Sequence, residues 1–99
     1  MDRPEPGWQV AECLLPGLTQ TAAQALGQRI EDELAGLPRP GVSFLGLLVM
    51  PEDEVVLCVF RGPHDEVRAV SERADLPFER IVACVGLGWQ EHHQRREQQ

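Results

Sequence analysis

The sequence predicts an α+β domain of the ferredoxin-like kind. Its elements run β-α-β-β-α-β, with two helices on one face of a four-stranded antiparallel sheet ordered 4-1-3-2. Three observations carry this expectation: two apolar stripes at helical spacing, four short apolar runs bounded by Pro and Gly, and their succession within about eighty residues.

Residues 8–15 read as a first strand, stopped by Pro16 and Gly17. Thr19 or Thr21 can cap the helix that follows, and Gln24 stands three residues after Thr21 at capping-box spacing. Leu26, Ile30, Leu34 and Leu37 recur at steps of four, four and three, with Glu31, Asp32 and Glu33 mostly on the wet side. Gly36 and Pro38 end that helix. Residues 42–50 and 55–60 are apolar runs rich in Val, Leu and Phe, joined by the charged break Pro51-Glu52-Asp53-Glu54, and they read as a hairpin. Gly62 and Pro63 open a second helix whose first turn carries Asp65 and Glu66, as the positive end of a helix dipole favours. Val67, Val70 and Ala74 form its inner stripe, Arg73 falls in its last turn, and Leu76-Pro77 breaks it. Residues 78–87 supply the last strand. The chain thus divides into a flexible N-terminal segment 1–7, a ferredoxin-like domain 8–88 and a polar flexible tail 89–99.

The sheet lacks a wet face. A half-solvated sheet alternates apolar and polar residues. Here Phe44 and Leu48 are expected on one side of strand two, and Leu45, Leu47 and Val49 on the other. Val55, Leu57 and Val59 oppose Val56, Cys58 and Phe60 in strand three; Ile81, Ala83 and Val85 oppose Val82 and Cys84 in strand four. Two helices cover one face, so the second must meet something else, and a second copy packed sheet on sheet is the economical partner. The expected assembly is a homodimer resembling a dimeric α+β barrel, with room for a small apolar ligand between sheet and helix.

Composition closes other doors. The 99 residues are 42% hydrophobic and 25% charged, enough to bury a core. Nine basic against sixteen acidic residues leave a net charge of −7, which argues against nucleic acid or an anionic membrane surface as partner. Every basic residue other than His is Arg. With no Lys, Tyr or Asn, the chain cannot supply a Schiff-base or P-loop lysine, a tyrosine acid or a Cys-His-Asn triad. The polar, Pro-rich start is unlike a signal peptide, no apolar run approaches the ~20 residues of a spanning helix, and three widely spaced cysteines without a Cys-x-x-Cys suit a reducing compartment. A cytoplasmic protein is expected.

Few residues could carry chemistry. Glu12 lies between Val10 and Leu14 on one face of the first strand, where a bare carboxylate is costly to bury. It reads either as a pocket acid or base, as the partner of Arg80 or Arg61, or as a solvated strand-end residue. Cys13, Cys58 and Cys84 fall on three adjacent strands; sharing one face they could hold a soft metal, and otherwise they pack as small hydrophobes. His64 reads as a surface residue of the second helix, His92 and His93 as an incidental pair in the tail, and Trp8 and Trp89 as packing anchors. Gly86-Leu87-Gly88 is a strand exit, not a phosphate cradle. No cofactor and no metal ligand is assigned.

Leu-Pro-Gly-Leu-Thr at 15–19, Cys-Val-Phe-Arg-Gly-Pro at 58–63 and the stretch 70–82, most specifically 72–81, resemble a family of small bacterial ferredoxin-like domains of unknown function. These domains are common in actinobacteria, and their characterised members are described as nickel-binding or nickel-responsive. The resemblance covers most of residues 8–87 and implies the ferredoxin-like fold and a dimer. The family's metal histidines would fall in the first strand, the turn after the second helix and the last strand. Here those neighbourhoods read Glu12-Cys13-Leu14, Asp75-Leu76-Pro77 and Ala83-Cys84-Val85, without histidine. The reading is therefore a non-catalytic homodimeric binding or accessory module, taking a small apolar ligand or a protein partner. The alternatives are a cofactor-free monooxygenase, isomerase or cyclase of the dimeric α+β-barrel type, with Glu12 as base and Arg61 or Arg80 steadying an anion, and a protein binding nickel or another divalent metal.

Overall fold

A computed structural model describes residues 7–87. The chain forms β1 (Trp8–Leu14), α1 (Gln20–Ala35), β2 (Ser43–Met50), a single 3-10 turn (Pro51–Asp53), β3 (Val55–Arg61), α2 (His64–Arg73) and β4 (Phe78–Cys84). The strands make one antiparallel sheet ordered β2-β3-β1-β4, the expected 4-1-3-2 arrangement read from the other edge. β1 and β3 are central; β2 and β4 are the edges.

Local chemistry explains the boundaries. Thr19 caps α1, its Oγ1 accepting from the Ala22 N–H at 3.0 Å, so the first of the two candidate caps is the one used. Gly36 closes the helix. Pro63 precedes α2, Asp65 and Glu66 occupy its first turn and Arg73 its last, as the dipole argument requires. The charged break between β2 and β3 is compact: Pro51 starts the 3-10 turn and Glu54 takes a left-handed φ of 57° to re-enter the sheet.

Both helices lie on the face built by Ala11 and Cys13 of β1, Val56, Cys58 and Phe60 of β3 and Ile81 of β4. Ala23, Leu26 and Ile30 of α1 and Val67 and Val70 of α2 fill the space between, with Phe60, Ile30, Val56 and Val67 completely enclosed. Burying such side chains stabilises by roughly 1.5–3 kcal/mol each. Arg29 of α1 ties the layers together: its Nε donates to the Ala74 carbonyl at 2.9 Å and its Nη2 to the Asp75 carbonyl at 2.8 Å, placing a cation on the last carbonyls of α2. Arg73 Nε adds a 2.6 Å bond to Glu33 Oε2 between the helices.

Three details differ from the alternation expected of the sequence. The β2–β3 register shifts between Phe44 and Gly46, a bulge at which Gly46 adopts φ 139°. The extra residue reverses parity: Phe44 turns inward with Leu47 to pack against the core, its ring 5.5 Å from that of Phe60, and Leu48 faces out. The pairing of Phe44 with Leu48 on one side is therefore corrected. A second shift, between Glu12 and Cys13 against β4, brings Phe78 inward and leaves Glu79 as the extra residue. Finally, β4 ends at Cys84 rather than at residue 87, because Cys84 lies opposite Trp8, the first residue of β1.

Candidate functional site

Both helices pack on one face of the sheet, and neither lies over the other face. That open face carries Trp8, Val10, Glu12 and Leu14 from β1 and Val55, Leu57, Val59 and Arg61 from β3; Val59 is buried, Trp8, Val10, Val55 and Leu57 are half-buried, and Leu14 is exposed. Leu48 and Met50 of β2 and Arg80, Val82 and Cys84 of β4 flank them. The inner residues of the same strands are the ones in the core, which fixes this face by alternation. Apart from three charged residues and Ser43, opposite Arg61, it is apolar. Four strands ~4.8 Å apart and seven residues long at ~3.3 Å per residue give a flat footprint of about 440 Å².

Glu12 and Arg80 meet on this face as direct cross-strand neighbours. Arg80 Nε donates to Glu12 Oε1 at 2.8 Å and a terminal guanidinium nitrogen to Oε2 at 3.2 Å, a bidentate fork. The carboxylate, through this hydrogen bond first and its charge second, raises the Arg80 pKa above its ordinary value. Of the readings open for Glu12, pairing with Arg80 is the one the geometry realises. Arg61 stands elsewhere: it lies opposite Trp8, whereas Glu12 lies opposite Leu57, four positions or about 13 Å along the strand. The three residues considered for catalysis therefore form one ion pair and one separate cation, on the open face and not between sheet and helices.

The cysteines divide between faces. Cys13 and Cys58 point into the core, fully buried and hydrogen-bonded to each other, whereas Cys84 lies on the open face opposite Trp8. The bond from Cys58 lowers the Cys13 pKa against the opposing effect of burial; donating that bond, together with burial, raises that of Cys58. Burial also raises Cys84. The three thiols thus cannot act as one cluster. His64 opens α2 with its Nδ1 3.9 Å from Asp65 Oδ1 on the surface; His92, His93, Trp89 and Gly88 lie outside the described residues. Trp8 is half-buried on the open face, between Arg61 and Cys84 in the register.

Two features escaped the sequence reading. Gln9 is buried on the helix side of β1, and its Oε1 has no hydrogen-bond partner. Alternation alone would place Gln9 inward, since Ala11 and Cys13 follow it at steps of two. The second is an open groove of about 320 Å³ lined by Leu18, Thr19, Gln20, Val49 and Pro51, where the lower end of β2 runs past the start of α1.

No protein-family model matches the chain, and no curated protein matches it in sequence. Among solved structures, it is similar to the crystal structure of SCO4226 from Streptomyces coelicolor A3(2). The two are 20% identical with a TM-score of 0.62, over 84% of this chain and 98% of that one. That likeness shows the fold, shared with a small bacterial protein. At the described positions where the resemblance would put metal ligands, Glu12 is held by Arg80, Cys13 points into the core and Cys84 out of it. Among the described residues no three His, Cys, Asp or Glu side chains are grouped to hold a metal ion. Nor, among them, is any helix long and apolar enough to cross a membrane.

Proposed function

We propose that the protein is a non-catalytic binding or accessory module that works as a homodimer through its open sheet face. The observation that carries this reading is the largely apolar outer face, a footprint of roughly 440 Å² on the side of the sheet away from both described helices. Its fixed charges suit self-association. Glu12 and Arg80 neutralise each other, so two copies meeting on a two-fold axis bring no unpaired carboxylates together. Among the described residues, Glu31, Asp32 and Glu33 of α1 and Asp65, Glu66 and Glu72 of α2 belong to the helical layer on the other side of the sheet. The fold supports a binding module in general terms; a small apolar ligand or a protein partner would be held at or beside the paired sheets.

Native mass spectrometry of untagged protein, with sedimentation velocity at low micromolar concentration, tests the reading. The expected species is twice the 11.1 kDa chain mass, with any retained ligand seen as added mass. A monomer throughout that range refutes the assembly and the interface-bound ligand together.

A further inference from the structure

The exposed large hydrophobic side chains are not scattered. Leu48, Val49 and Met50 are 48%, 41% and 37% exposed, and Val85 and Leu87 are 78% and 83% exposed; beside them only Leu14 is of the same kind among the described residues. The first group ends β2, one edge strand. The second follows directly on β4, the other edge strand. β2 runs down toward Met50 and β4 runs up toward Cys84, so the two groups occupy diagonally opposite corners of the sheet.

The corners are shaped differently. At the β2 corner, Val49, on the inner side, and Met50, on the outer side, are both uncovered. The groove between Leu18, Val49 and Pro51 opens there, and at about 320 Å³ it is near the lower limit for enclosing a ligand. It suits a few side chains better than a sizeable molecule. The β4 corner supplies such side chains. Val85 and Leu87 stand two apart with Gly86 between, and both are largely exposed. One corner is a socket and the other a tooth-bearing arm.

We propose that a second copy of this chain fills the β2 corner with its own C-terminal arm, the partner's Val85 and Leu87 lying against Val49, Met50 and Pro51. The inference rests on the homodimer reading and sets its geometry. A two-fold axis between the stacked sheets, perpendicular to the corner-to-corner diagonal, carries each corner onto the opposite corner of the other copy. Both arms then meet both sockets in one closed, isologous contact. Area argues the same way. The flat face supplies roughly half of the ~800 Å² per partner of a standard stable interface, and the arm and its socket add surface on both copies.

Cysteine cross-linking decides the matter. In a Cys84→Ser background, Val49→Cys and Leu87→Cys chains are co-expressed and oxidised mildly. The expected result is a covalent heterodimer at least tenfold more abundant than the covalent dimer from either chain alone, since identical corners lie apart in this geometry. A second variant ending at residue 84 should dimerise at least tenfold more weakly. A native dimer without the Val49–Leu87 cross-link, or Val49→Cys chains linking to each other, overturns the arm contact while leaving the dimer standing. A monomeric parent protein overturns both.

Discussion

Leu48→Asp tests the open face with the least disturbance to the monomer. Leu48 lies on the outer side of an edge strand, opposite Leu57, and about half of its surface already faces solvent. Fully burying a leucine is worth ~1.5–3 kcal/mol, so covering the exposed half in a dimer contributes about 1 kcal/mol. The two-fold axis counts every substitution twice, giving about 2 kcal/mol for lost burial. Each new carboxylate buried without a partner costs a further ~1–3 kcal/mol on the scale of protein substitutions. The total of roughly 4–8 kcal/mol corresponds to a dimer weakened by about 10³- to 10⁶-fold. Sedimentation equilibrium from nanomolar to 100 μM reads that change directly, and far-UV circular dichroism with urea unfolding of the dilute monomer shows whether the fold survives. An unchanged dimer constant with Asp at position 48 would mean that this face is not the contact.

Three further substitutions probe the monomer itself. Arg29→Met removes both hydrogen bonds to the end of α2; partial exposure tempers their worth to about 1–2 kcal/mol, so the melting temperature should fall by roughly 4–16 °C, and an unchanged melt would show the clamp to be idle. Cys58 has a thiol pKa raised above the ordinary 9.0. Its contribution to stability is therefore full below that pH and is lost above it, at about 1.4 kcal/mol per pH unit while only the unfolded thiol is ionised. The lowered Cys13 contributes in the opposite sense, with a gain that builds below pH 9.0 and is level above it. Urea unfolding between pH 8 and 10.5 should show the alkaline decline, and Cys58→Ala should flatten it. Gln9→Met replaces the orphaned amide with an apolar chain of similar length and should raise stability by about 1–2 kcal/mol in the same assay; a loss instead would reveal a donor bound at Gln9 Oε1.

The architecture was legible because it rests on periodicity. Leu26 and Ile30 in α1, Val67 and Val70 in α2 and Ala74 at its C-cap are buried as their spacing requires, and the four apolar runs are the four strands. Strand order followed from the element succession. What alternation could not show was a change of parity inside a strand. Leu45-Gly46 reads as an ordinary stretch of β2 until the pairing register reveals a bulge, and one extra residue sends Phe44 and Leu48 to opposite faces. The length of β4 was overestimated for a related reason: Val85 and Leu87 continue the pattern, but the strand they would pair with begins at Trp8. Arg29 was invisible because its partners are backbone carbonyls 45 and 46 residues away, which carry no side-chain signature. The Glu12–Arg80 pair was legible as a candidate, since both residues fall on the outer side of strands adjacent in the 4-1-3-2 order. The choice between Arg80 and Arg61 depended on register.

The charge balance explains why the open face has the composition it does. Two chains of net charge −7 repel at long range, and self-association is favourable only through a surface from which that charge is absent. On the outer sheet Glu12 is matched in a bidentate fork by Arg80, and Arg61 on the same face is also a cation. A wholly apolar face would also permit contact, but any overlap of two greasy sheets would then serve. A paired Glu12 and Arg80 on adjacent strands must keep their hydrogen bonds or find equivalent ones across the contact, so only a few registers avoid stranding a buried charge. In the proposed dimer, the same residues weighed as a catalytic acid and its cation would act as the polar constraint on an apolar interface. Their replacement by two apolar residues of similar size should leave the dimer strong and its register less defined.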